Sequence, residues 1–321
     1  MGSFVYAIIS LFFMRHNIGD EGVISTAIGI LLIVLCLGFF TFFIYHVTSS
    51  IKVENLIKKL YEEATTMIED YKDNFDSNKF IHISNSEVNK PANPKEIIAL
   101  QSGYIQVIDH KGLLEEAIKF NRLIQVTVKL GKFVIRGEKL ANVYEGEGFL
   151  NKEDYEGIRG KFTIGDERTT LQDIVFSLEK LADIALRAIS PGFNDPNTAK
   201  ECINVIGLVI GDISRYTGDK ILVRDGHDTP RLIMEGIGFK EVLYLTFYQL
   251  RHYGSEDISI VISNLEALTI AAYKAPIENR KVIWDFHKYI IENEEQKTIK
   301  EMDRLYLERV IYKLEKICNG K

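Results

Sequence analysis

Apolar and polar positions change their rhythm several times along the 321 residues. Between Glu21 and Lys52 there is no Asp, Glu, Lys or Arg, and the stretch from Val23 to Val47 is dominated by Ile, Leu, Val and Phe. At ~1.5 Å of helical rise per residue such a run reaches the roughly 30 Å of a bilayer core, so the pattern predicts a full span over 23–47. A shorter run over 4–14 is too brief to cross alone and has neither the basic start nor the cleavage site of a signal peptide. It reads as part of a membrane helix, which makes 1–50 a membrane region. Over 51–72, Val53, Ile57, Leu60, Ala64, Met67 and Tyr71 are spaced by alternating fours and threes, a heptad seam on a juxtamembrane helix. The seam pairs either with a copy in another subunit or with its own domain.

Residues 73–96 are rich in Asn, Ser and Asp and read as a linker. A β-rich module over 97–150 follows. Ile105 and Val107 flank Gln106, Ile124, Val126 and Val128 alternate with polar residues, and GKFVIRGEKLANV places glycines at turns. A short helix over 111–121 interrupts it. The glycine rhythm is similar to biotinyl and lipoyl carrier barrels, but Lys132 and Lys139 sit in the turns themselves, so a structural barrel-sandwich is expected and a carrier role is not. Residues 160–321 read as mainly helical. Thr169 and Gln172 form a capping-box pattern ahead of a stripe from Leu171 to Ala188, and Asp195 with Pro196 opens the next helix. A hairpin over 221–234 turns near Asp225-Gly226, and helices are expected over 240–253, 257–274, 278–293 and 298–318. The fold class predicted is a membrane α-helical anchor plus an α+β cytoplasmic region, with a small barrel-sandwich-like β module followed by a mainly helical domain.

Charge adds placement. The net charge of −6 argues against a nucleic-acid surface. Lys52, Lys58 and Lys59 follow the apolar run while Arg15, Asp20 and Glu21 precede it, which places the C-terminal side in the cytoplasm, at the inner (plasma) membrane of the cell. Cys36, Cys202 and Cys318 have no disulfide or zinc spacing, so a reducing compartment fits. The seven histidines form no HExxH pattern, and no GxSxG, phosphate loop or dinucleotide fingerprint occurs. No catalytic residue, metal site or cofactor is expected.

The densest polar information lies between Arg168 and Asn197. Arg168, Gln172, Asp173, Asp183, Arg187, Ser190, Asn194 and Asp195 are the candidate cluster. Gln172, Phe176, Glu179, Asp183 and Arg187 share a helix face, Asp183 and Arg187 are an i,i+4 pair, and the loop SPGFNDP sets backbone N–H groups at a helix N-terminus, where anions bind. The cluster forms either a ligand pocket or a tight corner between packed helices, with Gly192 supplying an unusual φ and Asp195 a cap.

The run RTTLQDIVFSLEKLADIALRAISPGFNDPNTA, from Arg168 to Ala199, resembles the signature of a bacterial family of predicted membrane proteins, domain of unknown function 2254. SGYIQVID at Ser102, GKFVIRGEKLANV and FFIYHVTSSIKV extend the likeness over nearly the whole chain. The resemblance implies about four membrane segments, with GSFVYAIISL matching the middle of the third, so a truncated N-terminus is expected. It implies no reaction. The functional expectation is an uncharacterised integral membrane protein: an oligomeric channel, transporter component or sensor without catalytic activity, with the lipid bilayer and further copies of itself as partners. The alternatives are an enzyme acting on an anionic or lipid-derived substrate through the Arg168–Asp195 cluster, or a membrane scaffold for protein partners.

Overall fold

The computed structural model describes residues 20–50, 52–77, 80–82, 88, 90–91, 93–144, 151–292 and 300–320, without the side chains of 20–28 and 46–50. The expected segment over 4–14 lies outside them. The chain divides into two compact units, residues 1–56 and 57–321.

In the first unit the uncharged run forms one continuous helix, α1 (Asp20–Ser50). Among the described residues no helix is long and apolar enough to cross a membrane. The expected anchor is therefore corrected: the fold described is α+β, with no membrane anchor evident in it.

The second unit begins within α2 (Val53–Asp76). The seam residues Ile57, Leu60, Ala64 and Met67 are buried in this unit's own helical core. Of the two readings of the seam, packing on its own domain is the one observed, and Leu60 and Met67 are not open to another copy. Strands follow as β1 (Phe80–His82), β2 (Lys95–Ile98), β3 (Gly103–Ile108), β4 (Leu123–Val126), β5 (Phe133–Val134), β6 (Lys139–Tyr144), β7 (Phe162–Gly165), β8 (Gly218–Arg224) and β9 (Pro230–Ile237). Helix α3 (His110–Lys119) is capped by Asp109, and α4 (Lys152–Arg159) by a capping box at Asn151.

No barrel closes. β1, β8, β9, β4, β6 and β2 form one six-stranded sheet in that order, and β5, β3 and β7 form a second of three strands. Every pairing is antiparallel except β4 with β9, where Ile124 lies opposite Leu232. The barrel-sandwich expectation fails because alternation reports a half-buried strand but not its neighbour. Two strands of the large sheet come from beyond the first helices of the helical region, β1 comes from the segment read as a linker, and β2 begins at that segment's end and runs into the β module. The sheet core includes Ile97, Ile105, Leu113, Ile124 and Leu140, each fully buried and each contributing about 1.5–3 kcal/mol of transfer free energy.

The helical layer is α5 (Ile174–Ala188), α6 (Pro196–Ile213), α7 (Phe239–Gly254), α8 (Ile258–Lys274), α9 (Ile277–Ile291) and α10 (Glu301–Asn319). α6 and α8 approach so closely that a Cβ on Gly207 would stand 2.6 Å from the carbonyl oxygen of Ala267. Glycine at this point is what lets the two axes come together.

Candidate functional site

The segment from Glu167 to Asp173 joins β7 to α5 and bridges three elements. Gln106 donates from Nε2 to the carbonyl of Glu167 (2.8 Å), Thr170 donates its hydroxyl to Glu63 on α2 (2.8 Å), and the Gln172 side-chain oxygen accepts from the Ile108 amide at the end of β3 (3.0 Å). The cap of α5 is Asp173, which accepts from the Phe176 amide at 3.0 Å. This corrects the capping box read at Thr169 and Gln172: Gln172 is used by β3, and the Thr169 hydroxyl is buried without a hydrogen-bond partner among the described residues.

Arg168 lies at the centre of this strap. Its Nε donates to Asp173 Oδ2 at 2.6 Å, an Nη donates to Glu179 Oε2 at 2.5 Å, and its guanidinium stands over the Phe176 ring at 4.6 Å. Burial alone would lower the Arg168 pKa, but the bonds to Asp173 and the two negative charges outweigh it and raise the value. Burial raises the Glu179 pKa, and the neighbouring Asp173 charge adds to that rise against the pull of Arg168. One guanidinium thus serves two carboxylates. Gly131, in the turn after β4, lies directly beneath: its φ is +72°, and a Cβ there would come 2.1 Å from Asp173 Oδ2 and 2.3 Å from Arg168 Nε.

This strap walls a cavity of about 520 Å³ lined by residues of the helical core and of the sheet core. That size is in the range of small-molecule sites. Arg168, Gln172 and Asp173 line one side, α2 contributes Thr66, Met67, Asp70 and Tyr71, and the sheet contributes Phe80, Val126, Ile221 and Met234. Burial, then the Asp173 and Asp70 carboxylates, push the Tyr71 hydroxyl up to about 12. His110 also lines the cavity; burial lowers its pKa, against the opposing pull of Asp70, and its Nε2 is buried without a hydrogen-bond partner among the described residues. Tyr71 was visible in the sequence only as the last residue of the α2 heptad seam, and His110 belongs to no spaced motif. Asp109, a capping residue type just ahead of the helix expected over 111–121, was the only signal near His110.

The remaining candidates are elsewhere. Asp183 and Arg187 are exposed on α5, and no ion pair joins them to each other or to another described residue. Ser190 donates to the Arg187 carbonyl (2.7 Å), and the left-handed residue of the corner is Asn194 (φ 47°), not Gly192. Asp195 caps α6, accepting from the Thr198 amide (3.2 Å) and hydroxyl (2.6 Å). Those bonds lower its pKa. The eight candidates therefore fall into two groups: three at the cavity, and five at a solvent-facing corner.

Among the described residues no group of three or more His, Cys, Asp or Glu side chains is placed to hold a metal ion. The unit is an α+β domain with a mixed-charge cavity between its two cores. The chain belongs to the family described as "Predicted membrane protein (DUF2254)", whose profile matches residues 1–269. It is similar to uncharacterized proteins of Mycobacterium bovis and Mycobacterium tuberculosis, 24% identical over 245 residues, which is 75% of this chain and 46% of each relative. The chain thus spans less than half the length of these relatives. No solved structure matches it.

Proposed function

We propose that the chain is a membrane-associated sensor without catalytic activity, in which a small ligand held between the two cores changes how α2 is packed. The observation that carries this reading is the composition of the cavity wall: four consecutive-turn residues of α2, from Thr66 to Tyr71, face the same space as the Arg168 strap and the sheet. α2 follows the apolar helix α1 in the chain, so a change in its packing is the route to the family's membrane-associated part. Arg168, Gln172 and Asp173 are the binding-site residues in this reading, and Asp183, Arg187, Ser190, Asn194 and Asp195 brace the α5–α6 corner. We place the α+β domain on the cytoplasmic side of the inner membrane; the family's description supports the membrane, and the lysines after the apolar run and three free cysteine thiols support the side.

The seam of α2 lies inside its own domain, which favours a sensor over a channel or transporter assembled through that seam. An enzyme acting on an anionic substrate has less support, because the Arg168 charge is already matched by two carboxylates. The test is hydrogen–deuterium exchange on the full chain in detergent with 1-octanol as probe. The expected result is slower exchange over 62–76, lost when Val128→Phe fills the cavity floor, with a circular-dichroism melt showing that this variant is folded. Unchanged exchange in α2, or the same protection in a folded Val128→Phe, would count against the sensor.

A further inference from the structure

The charges around the cavity are unevenly engaged. Of the cations in its wall, Lys129 is held by Glu241 at 3.1 Å and Arg168 by Asp173 and Glu179. Lys111 has no ion-pair partner among the described residues, but it is exposed at the rim. On the acidic side, Asp109 is held by Lys161 at 3.7 Å and Glu235 by Lys220 at 3.5 Å. Asp70 has no ion-pair partner among the described residues, lines the cavity and is exposed, so its carboxylate stands at the mouth. Val126 and Val128, each 1% exposed, lie deep, with Phe80 and Met234 in the same wall.

An anion held inside this space must take Lys129 or Arg168 away from a carboxylate that already holds it, which leaves a charge uncompensated, and at the rim it meets Lys111 within a wall that carries the carboxylates of Asp70, Asp109, Asp173, Glu235 and Glu241. A ligand carrying N–H donors meets the opposite situation: an open carboxylate at the mouth and apolar surface behind it. The field at the mouth agrees. The Asp70 charge acts on both Tyr71, whose hydroxyl is held up first by burial, and His110, whose ring burial keeps in the neutral form at neutral pH. His110 therefore adds no positive charge to attract an anion.

We infer that the cavity takes an amphiphile with an ammonium head group, its head at Asp70 and its apolar tail against Phe80, Val126, Val128 and Met234. This rests on the reading of the cavity as a ligand site. The chemistry is shared by an amine-bearing lipid and a small free alkylamine, which differ in how much tail they bring.

The experiment follows melting of the full chain through Trp284, its single tryptophan, at fixed detergent concentration, with octylamine, octanol, octanoate and ethylamine titrated separately. Ligands that bind the native state raise the melting temperature by mass action. Octylamine is expected to act with an apparent Kd at least tenfold below that of octanoate, and Asp70→Asn to erase that tenfold preference in the same detergent. Octanoate equal to octylamine would overturn the head-group assignment, and ethylamine equal to octylamine would overturn the tail; in either case octanol alone still shifting the melt leaves the ligand site standing. If none of the four probes moves the melt, the ligand site itself fails.

Discussion

The two ends of α5 are made from the same residue types and do different things. At the N-terminal end, Asp173 is 5% exposed, Arg168 and Glu179 are about three-quarters covered, and the three groups are bonded to one another over Gly131. About 15 Å further along the helix, Asp183 and Arg187 stand in solvent unbonded, and the corner beyond them is held by backbone turns and one cap. What separates them is a second layer: the turn after β4 covers the first end, and among the described residues nothing covers Asp183 and Arg187. A charge on a helix face becomes energetically consequential when another element removes its water.

Arg168 carries most of the difference between the two ends. Arg168→Ala leaves Asp173 and Glu179 facing one another without a cation, and stability should fall by ~3–5 kcal/mol. A denaturant melt that moves by less than ~1 kcal/mol would place the three groups in free solvent contact after all. Next in size is Gly131→Ala. A left-handed residue with a Cβ costs about 1–3 kcal/mol before the displaced ion pair is counted, and the loss should shrink when Arg168→Ala is already present, because the two changes act on one contact.

At the other end the effects should be small. Asp195→Ala should lower the melting temperature modestly at neutral pH. The sign of its pH dependence follows from its lowered pKa: the stabilisation is present above the unfolded value of 3.8 and is lost as pH falls through the lower folded value. Wild type and Asp195→Ala should therefore melt together in strong acid, and a gap that persists there would show that the residue does more than cap. Smallest of all, Asp183→Asn and Arg187→Gln should each stay within about 0.5 kcal/mol of wild type. A marked loss in both would mean the corner carries an ion pair that the structure does not contain.

Much of the helical layer was legible from the chain. Asp195 and Pro196 begin α6 as the capping rules require, Asp109 opens α3, and the apolar stripes place α7 to α10 within a few residues of their bounds. These features are local, set by hydrogen bonds within one turn and by a period of 3.6. The sheet was less legible. Its hairpin β8–β9 turns at the expected Asp225-Gly226, but nothing in either run says that β9 lies parallel to β4. The anchor expected over 23–47 is the largest difference, since hydropathy alone carried it. For the site, polar residues between Arg168 and Asp195 were visible as a group, whereas their division between cavity and corner depends on Gly131, Tyr71 and His110, which come from other parts of the chain.

The parallel pairing of β4 with β9 also sets a timetable. Ile124 meets Leu232 at a sequence separation of 108 (232 − 124). At about 5–20 residues per second a ribosome needs roughly 5–20 s to deliver the second strand after the first. During that interval the edge of β4 has no partner, and an unpaired strand edge is a template for pairing with another chain. Pairings of such long sequence separation are also slow to form. The stretch made in the interval includes α5 and α6, whose mutual packing is local enough to form while the edge waits. The order of synthesis thus assigns the helices a first task before any ligand is met: to be folded and in place when the last central strand arrives.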